Sequence, residues 1–376
     1  MSKAEWMLNP RLEKPSQSLL DLANDPRFEN HLLFSSSGTT GAPKWIALSH
    51  KALEASALAV NSWLEVTSED VLGLCLPLFH VGGYGMLERS RVTGAAFKKF
   101  ETKWNVVKFY KWLEKERVSV LSLVPTQVYD LVTQKLKAPS SLRVVVVGGG
   151  ALSESLYLEA RRLGWPLLIS YGLTECASQV ATASLSSLSD DSAFYSAFPS
   201  AFVLPHISLQ VIDDFKVQVQ SPALFTAYIR QVGQDFVVED PKEDSSFLLP
   251  DKVQVTNVGG KIQLQVKGRW EENFKILGEL VDYGALKKLF YDESYKAGLW
   301  NQLELGVFPH PRRENCLALI CEKLGQAERA LLSAFNQKVA PFERITHFCE
   351  GHVPRSELGK IILSKINPVC LQEFSG

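Results

Sequence analysis

Residues Arg143–Ser170 read R-V-V-V-V-G-G-G-A-L-S-E-S-L-Y-L-E-A-R-R-L-G-W-P-L-L-I-S, and the order of signals inside this stretch decides the class of fold. Four consecutive valines show no polar alternation, as expected of a strand covered on both faces. Gly148–Gly150 supplies a tight turn, Ser153–Leu163 has a helical period closed by Gly164, and Leu167–Ser170 is a second apolar strand. A strand, a helix and a strand in that order make the two strands parallel, with the helix on one face. Toward the N-terminus the pattern recurs. Ser49 caps a helix carrying Leu53, Ala57, Val60 and Trp63; Val71–Leu76 is a strand ending at Pro77; Trp104–Leu113 is an amphipathic helix; and Val118–Val124 is a strand stopped by Pro125. The expected class is α/β.

Toward the C-terminus, Ala181–Ser200 turns abruptly serine-rich and reads as an exposed loop. Ser208–Ile212, Lys216–Val219, Phe225–Ile229 and Lys261–Val266 alternate as strands do, suggesting a small antiparallel sheet or barrel-like part on the first domain. After Gly268-Arg269 helix and strand mix again, in Tyr283–Tyr291, Leu303–Phe308, Leu317–Cys321, Ala327–Lys338 and Ile345–Phe348. This gives a large domain over 1–269 and a small α+β domain over 270–376. At about 150 residues per domain, a 376-residue chain has room for both.

Composition removes several classes of function. With 46% hydrophobic and 22% charged residues, disorder is excluded as the dominant state. Forty basic against 41 acidic side chains leave a net charge of −1, without the basic excess a nucleic-acid partner requires. The longest apolar stretches, Val71–Phe79 and Leu142–Leu152, are too short to span a bilayer, and no apolar core follows Lys3, so a cytoplasmic protein is expected. The six cysteines sit mostly among apolar neighbours and read as reduced, buried thiols. Cys316, Cys321, His347 and Cys349 could gather round zinc, but without a C-x-x-C pair the thiol reading is preferred.

Phe34–Lys44, F-S-S-S-G-T-T-G-A-P-K, is where chemistry enters. Glycines let a backbone turn close to polyphosphate, hydroxyls and amides donate to its oxygens, and Lys44 adds a point charge. The stretch lies between the apolar strand His31–Phe34 and the strand Trp45–Leu48, a poor place for a flexible linker. It is not the P-loop of NTPases, because Lys44 follows Pro43 and precedes Trp45.

This loop resembles the signature of the adenylate-forming enzymes, which include acyl- and aryl-CoA synthetases, luciferases and peptide-synthetase adenylation domains. Further stretches match in the family's order: Leu76-Pro77-Leu78-Phe79-His80, Gly148-Gly149-Gly150-Ala151, Tyr171-Gly172-Leu173-Thr174-Glu175, Gly268-Arg269, and Pro354-Arg355 with Gly359-Lys360-Ile361. The resemblance implies the family fold with a mobile C-terminal lid, and ATP, Mg²⁺ and CoA as cofactor and co-substrates. It implies that Ser36, Ser37, Gly38, Thr39, Thr40, Gly41 and Lys44 hold the β- and γ-phosphates. Glu175 would carry Mg²⁺, with Thr174 on the α-phosphate. Tyr171 and Gly172 would lie against adenine, and Gly149, Gly150 and Ala151 would line the base and acyl pocket. Lys360 would be the adenylation lysine.

Two positions depart from the family pattern. Its ribose aspartate sits in T-G-D, whereas here the counterpart is Leu249-Pro250-Asp251, with Arg269 a second ribose contact. Glu271 stands where the hinge aspartate usually does. The phosphate loop also begins unusually early, so an N-terminal subdomain is expected to be absent or reduced, and a homodimer to cover the surface it would have covered.

Within the family, Leu76–Arg89, Ser122–Gln127 and Tyr171–Ser178 look most like the branch that joins o-succinylbenzoate to CoA. That likeness places His80, Arg89 and Ser178 around the acyl group. Arg89 is the candidate seat for the substrate's second carboxylate, since a guanidinium grips a carboxylate bidentately. It reads equally well as a surface arginine neutralised by Glu88. Two other readings of the whole chain remain: a ligase for another carboxylic acid, and a non-catalytic nucleotide-binding homologue.

Overall fold

A computed structural model describes residues 3–8, 20–36, 44–189, 198–232, 235–270, 273–277, 279–355, 361–362, 365–366 and 370–374. The chain divides into two compact units, one of residues 1–152, 158–249 and 254–265, the other of residues 153–157, 250–253 and 266–376.

In the first unit local signals set the elements. Ser49 caps helix α1 (His50–Trp63), its hydroxyl accepting from the Ala52 amide at 3.1 Å, and the helix buries Leu53, Ala57 and Val60. Strand β4 (Val71–Leu74) leads to α2 (Val81–Thr93), which Gly94 ends in the left-handed conformation at φ 72°. Strand β5 (Ala96–Lys99) precedes α3 (Val106–Glu116), capped by Asn105 and burying Phe109 and Leu113. Pro125 does more than stop β6 (Val120–Leu123): it opens a helix, α4 (Pro125–Thr133), a position where proline's missing N–H costs nothing. Then come β7 (Val144–Val147), α5 (Glu154–Arg162), whose first turn is counted with the second unit, β8 (Leu167–Leu173), β9 (Ser178–Ala183) and β10 (Ala201–Val203).

Strands β5, β4, β6, β7 and β8 run parallel, each hydrogen-bonded to the next. The valines of β7 are 0–4% exposed, as a strand covered on both faces requires. Beyond β8 the sheet turns antiparallel through β9, β10 and β17 (Lys261–Arg269), with β16 (Asp251–Val258) at its edge. A five-stranded sheet joins β1 (Glu5–Met7), β2 (His31–Ser36), β3 (Lys44–Ser49), β13 (Ala227–Val232) and β14 (Asp235–Glu239) in that order. It packs around Phe28, Leu33, Trp45 and Ile229. A three-stranded sheet is formed by β11 (Ser208–Asp213), β12 (Lys216–Gln220) and β15 (Phe247–Leu248).

In the second unit, β18 (Asn273–Ile276) and β19 (Glu279–Asp282) form a hairpin before α6 (Tyr283–Lys296). A sheet of β20 (Leu303–His310), β21 (Glu314–Cys321), β22 (Ile345–Glu350) and β23 (Leu371–Glu373), with α7 (Gln326–Asn336), encloses Phe290, Leu305, Leu317, Leu319 and Phe335, all 0% exposed.

Three expectations are corrected. Ala181–Ala183 is not loop: it is the end of β9, with Ala181 and Ala183 fully buried, and the serine-rich character begins only at Ser184. The alternating segments do not share one small sheet, because β13 pairs with β3 and β17 with β10. Nor are all six cysteines thiols. Antiparallel pairing of β22 and β23 sets Cys349 opposite Leu371, so the adjacent Cys370 comes within a Cα–Cα distance of 5.1 Å and the two form a disulfide. Cys75, Cys176, Cys316 and Cys321 are thiols.

Candidate functional site

Strand pairing fixes both stems of the Ser/Gly loop. Ser36 at the end of β2 and Lys44 at the start of β3 are partners in the antiparallel register. Ser37, Gly38, Thr39, Thr40 and Gly41 lie outside the described residues.

Lys44 points at Glu175. Its Nζ lies 3.2 Å from Glu175 Oε1, with the two side chains 21% and 11% exposed. Glu175 sits on a single 3-10 turn, Thr174–Cys176, between β8 and β9. The reversal is tight: Ala177 and Ser178 take φ of 49° and 111°, and the register shifts between Tyr171 and Gly172. A Cβ at Gly172 would lie 1.8 Å from the Ser178 carbonyl oxygen, so the glycine of the Y-G-x-T-E motif is a steric necessity here. The Phe225 amide donates to the Glu175 carbonyl at 2.9 Å and anchors the turn from below.

Tyr228, a residue no sequence signal singled out, completes the cluster. Its hydroxyl donates to Glu175 Oε1 at 2.9 Å, and its ring centroid is 3.8 Å from Lys44 Nζ. Burial first, and the Glu175 charge second, push its phenol well above the usual range, so it is a neutral donor. Both donors meet the same oxygen, which leaves Oε2 for a ligand. Magnesium takes one or two protein carboxylates and completes its shell with water and phosphate oxygens. A hard carboxylate held beside an ammonium fits that demand. Among the described residues no group of three or more His, Cys, Asp or Glu gathers as a cage.

The ends of β7 and β8, parallel neighbours, deliver Gly148–Ala151 and Tyr171–Thr174 to the same sheet edge. Gly149 adopts φ 74°, and Gly149, Gly150 and Ala151 are exposed, as residues lining a ligand should be. Ligands in α/β sheets bind outside such carboxyl ends.

His80 begins α2 and stacks beside Phe79, ring centroids 4.7 Å apart. Gly85 of α2 faces Ser178: a Cβ there would lie 4.0 Å from the serine Cβ and Oγ. Arg89 is not a surface arginine, being 3% exposed. Its Nε donates to Asn61 Oδ1 at 2.9 Å, Nη1 lies 3.3 Å from Met86 Sδ, and Nη2 is buried without a hydrogen-bond partner. Glu88 pairs instead with Arg91, at 2.7 Å. Burial, reinforced by Arg143, lowers Arg89 to about 10, so it stays cationic at neutral pH.

In the second unit Arg269 Nε lies 3.3 Å from Asp251 Oδ1, joining the two expected ribose contacts in one ion pair. Lys360 and Glu271 lie outside the described residues. The flanks of the Lys360 segment, Arg355 and Ile361, form an isolated antiparallel bridge, and Arg355 Nη1 donates to Asn301 Oδ1 at 2.6 Å.

Comparison with known proteins gives the same direction. The profile of the AMP-binding enzyme family matches residues 11–223. The 2-succinylbenzoate-CoA ligase of Bacillus velezensis is 34% identical over 152 residues, 40% of this chain and 31% of that protein. Its counterpart in Bacillus cereus is 32% identical over 186 residues, 49% of this chain and 37% of that protein. The matched stretches thus span about a third of the length of these relatives. An o-succinylbenzoate coenzyme A synthetase from Bacillus subtilis in complex with AMP superposes with a TM-score of 0.72 at 22% identity, covering 89% of this chain and 68% of that one. The complex of the Bacillus subtilis synthetase with ATP and magnesium ion gives 0.72 at 21%, covering 89% and 69%. At these identities the likeness establishes the fold, that of the adenylate-forming enzymes.

Proposed function

Because the chain belongs to the AMP-binding enzyme family, we propose that it is an acid-thiol ligase that activates o-succinylbenzoate with ATP and passes the acyl group to CoA. The observation that carries this reading is the meeting of Lys44, Glu175 and Tyr228 at one carboxylate oxygen, with Oε2 left for a metal nucleotide.

In the first half-reaction a substrate carboxylate oxygen attacks the α-phosphorus, forming the acyl-adenylate and expelling pyrophosphate. In the second the CoA thiol attacks the acyl carbon, its proton passes to solvent, and AMP leaves. Lys44 and the loop from Ser36 to Gly41 bind the β- and γ-phosphates, offsetting charge that grows on the leaving group. Glu175 would hold magnesium, which neutralises phosphate charge and orients the triphosphate. Thr174 donates to the α-phosphate, and Tyr171, Gly172 and Gly149–Ala151 seat the base. Asp251 and Arg269 take the ribose hydroxyls, and Lys360 the α-phosphate, as their motif positions imply. We read residues 270–376 as the lid that carries Lys360.

Arg89 favours a dicarboxylic acid over a simple one. A buried guanidinium with an unpartnered nitrogen is costly by itself, and a second carboxylate, arriving directly or through His80 and Ser178, would repay that cost. The reading puts the protein in the cytoplasm, where ATP and CoA are at hand, with a second copy of the chain as partner. A monomeric mass at working concentration removes the dimer.

ATP-pyrophosphate exchange across a panel of carboxylic acids tests the assignment. Exchange should depend on o-succinylbenzoate; equal support by benzoate or acetate rejects the substrate, and no exchange with any acid rejects the ligase.

A further inference from the structure

Tyr228 lies outside every motif that carries the family resemblance, yet among the described residues it makes the shorter of two hydrogen bonds to the candidate metal carboxylate, 2.9 Å against 3.2 Å for Lys44. The sheet explains how it reaches there. In the β3–β13 register Tyr228 faces Ile46 and Arg230 faces Lys44, so Lys44, Tyr228 and Arg230 share one face. The tyrosine ring is fixed from beneath by Phe225, ring centroids 4.6 Å apart, and is 6% exposed. The two partners of Oε1 therefore differ in kind. Lys44 is a point charge on a flexible stem that can follow a phosphate. Tyr228 has only two side-chain torsions, and its ring is buried against Phe225.

We propose that Tyr228 is the positioning residue of Glu175: its hydroxyl holds Oε1 so that Oε2 presents to the magnesium of a bound nucleotide. The inference rests on the reading of Glu175 as the magnesium anchor. A glutamate on a one-turn element has three side-chain torsions to fix, and a neutral donor fixes them without competing for the cation as a second ammonium would. Groups that orient metal ligands in this way are worth 10–100-fold in metal affinity.

The test is equilibrium binding of ATP to the full chain, followed calorimetrically across a magnesium titration and again in EDTA, for the wild type, Tyr228→Phe and Glu175→Gln. Tyr228→Phe keeps the ring and its seat on Phe225, so its melting temperature should match the wild type. It should raise the magnesium concentration for half-maximal binding about 10-fold and leave binding in EDTA unchanged. Bound Mn²⁺-ATP should show a broadened electron paramagnetic resonance signal in this variant. A wild-type magnesium dependence in Tyr228→Phe beside a raised one in Glu175→Gln overturns the proposal alone. A wild-type dependence in Glu175→Gln removes the metal anchor and the reading beneath it. Equal weakening of Tyr228→Phe with and without magnesium reduces the tyrosine to a packing role and also overturns the proposal.

Discussion

Arg89 carries a charge from α2 into the protein interior, where its hydrogen-bond partners among the described residues are the neutral Asn61 and Met86. Such a residue is poorly explained by stability, because a buried charge without a direct ion-pair partner costs more than an apolar side chain of similar volume. Arg89→Met should therefore leave the unfolding free energy close to that of the wild type while raising KM for o-succinylbenzoate by about 10–100-fold, the value of a hydrogen bond to a charged group. KM for ATP should not move. Exchange kinetics with each substrate varied in turn, beside urea unfolding, separate these effects; a parallel rise in both KM values would make Arg89 structural. At this scale legibility followed locality. The turn that carries Gly172 and Glu175 is legible as a motif because its residues are contiguous in the sequence. Tyr228 is not, because its partner lies 53 positions away and its own segment shows only strand alternation.

Three strands of the nine-stranded sheet are tied at their N-terminal edge by Asp70. Arg143 donates to both its oxygens, at 2.8 and 2.6 Å, and the Ser119 hydroxyl adds a third bond at 2.7 Å. Burial alone would raise this carboxyl; the Arg143, Thr67 and Ser119 bonds outweigh it and hold it at about 2. The folded pKa lies below the unfolded value of about 3.9, so the stability it contributes, about 2 kcal/mol, is full above pH 4 and is lost as pH falls through about 2. Unfolding free energies of wild type and Asp70→Asn, measured from pH 6 downward, should converge below pH 4; a constant gap would show that Asp70 is protonated at neutral pH. In the second unit, the Cys349–Cys370 bridge closes a separation of 21 residues. Cys370→Ser should cost about 3 kcal/mol under non-reducing conditions by loop entropy and nothing once reductant has opened the wild-type bond. Six reactive thiols in the denatured, unreduced wild type, instead of four, would remove the bridge. The bridge was invisible in the sequence because Cys349 and Cys370 become neighbours only through the register of β22 and β23, whereas α1 was legible from Ser49 and its apolar period alone.

The residues expected to bind phosphate and to catalyse adenylation fall on different units: Lys44 and Glu175 on the first, Lys360 in the sequence of the second. Lys360 belongs to no residue cluster around Glu175 in the sequence motifs, so its loss should appear in one half-reaction and spare the rest. Lys360→Ala should keep the wild-type affinity for ATP and the wild-type melting profile, lower formation of the acyl-adenylate by about 10²–10³-fold as expected for one preorganised donor to a developing charge, and leave thioester formation from supplied acyl-adenylate intact. Single-turnover measurements of the two half-reactions decide the matter. Equal losses in both would mean that Lys360 serves the architecture of its unit, where Arg355 and Ile361 bridge across the segment that contains it, rather than the transfer of the adenylyl group.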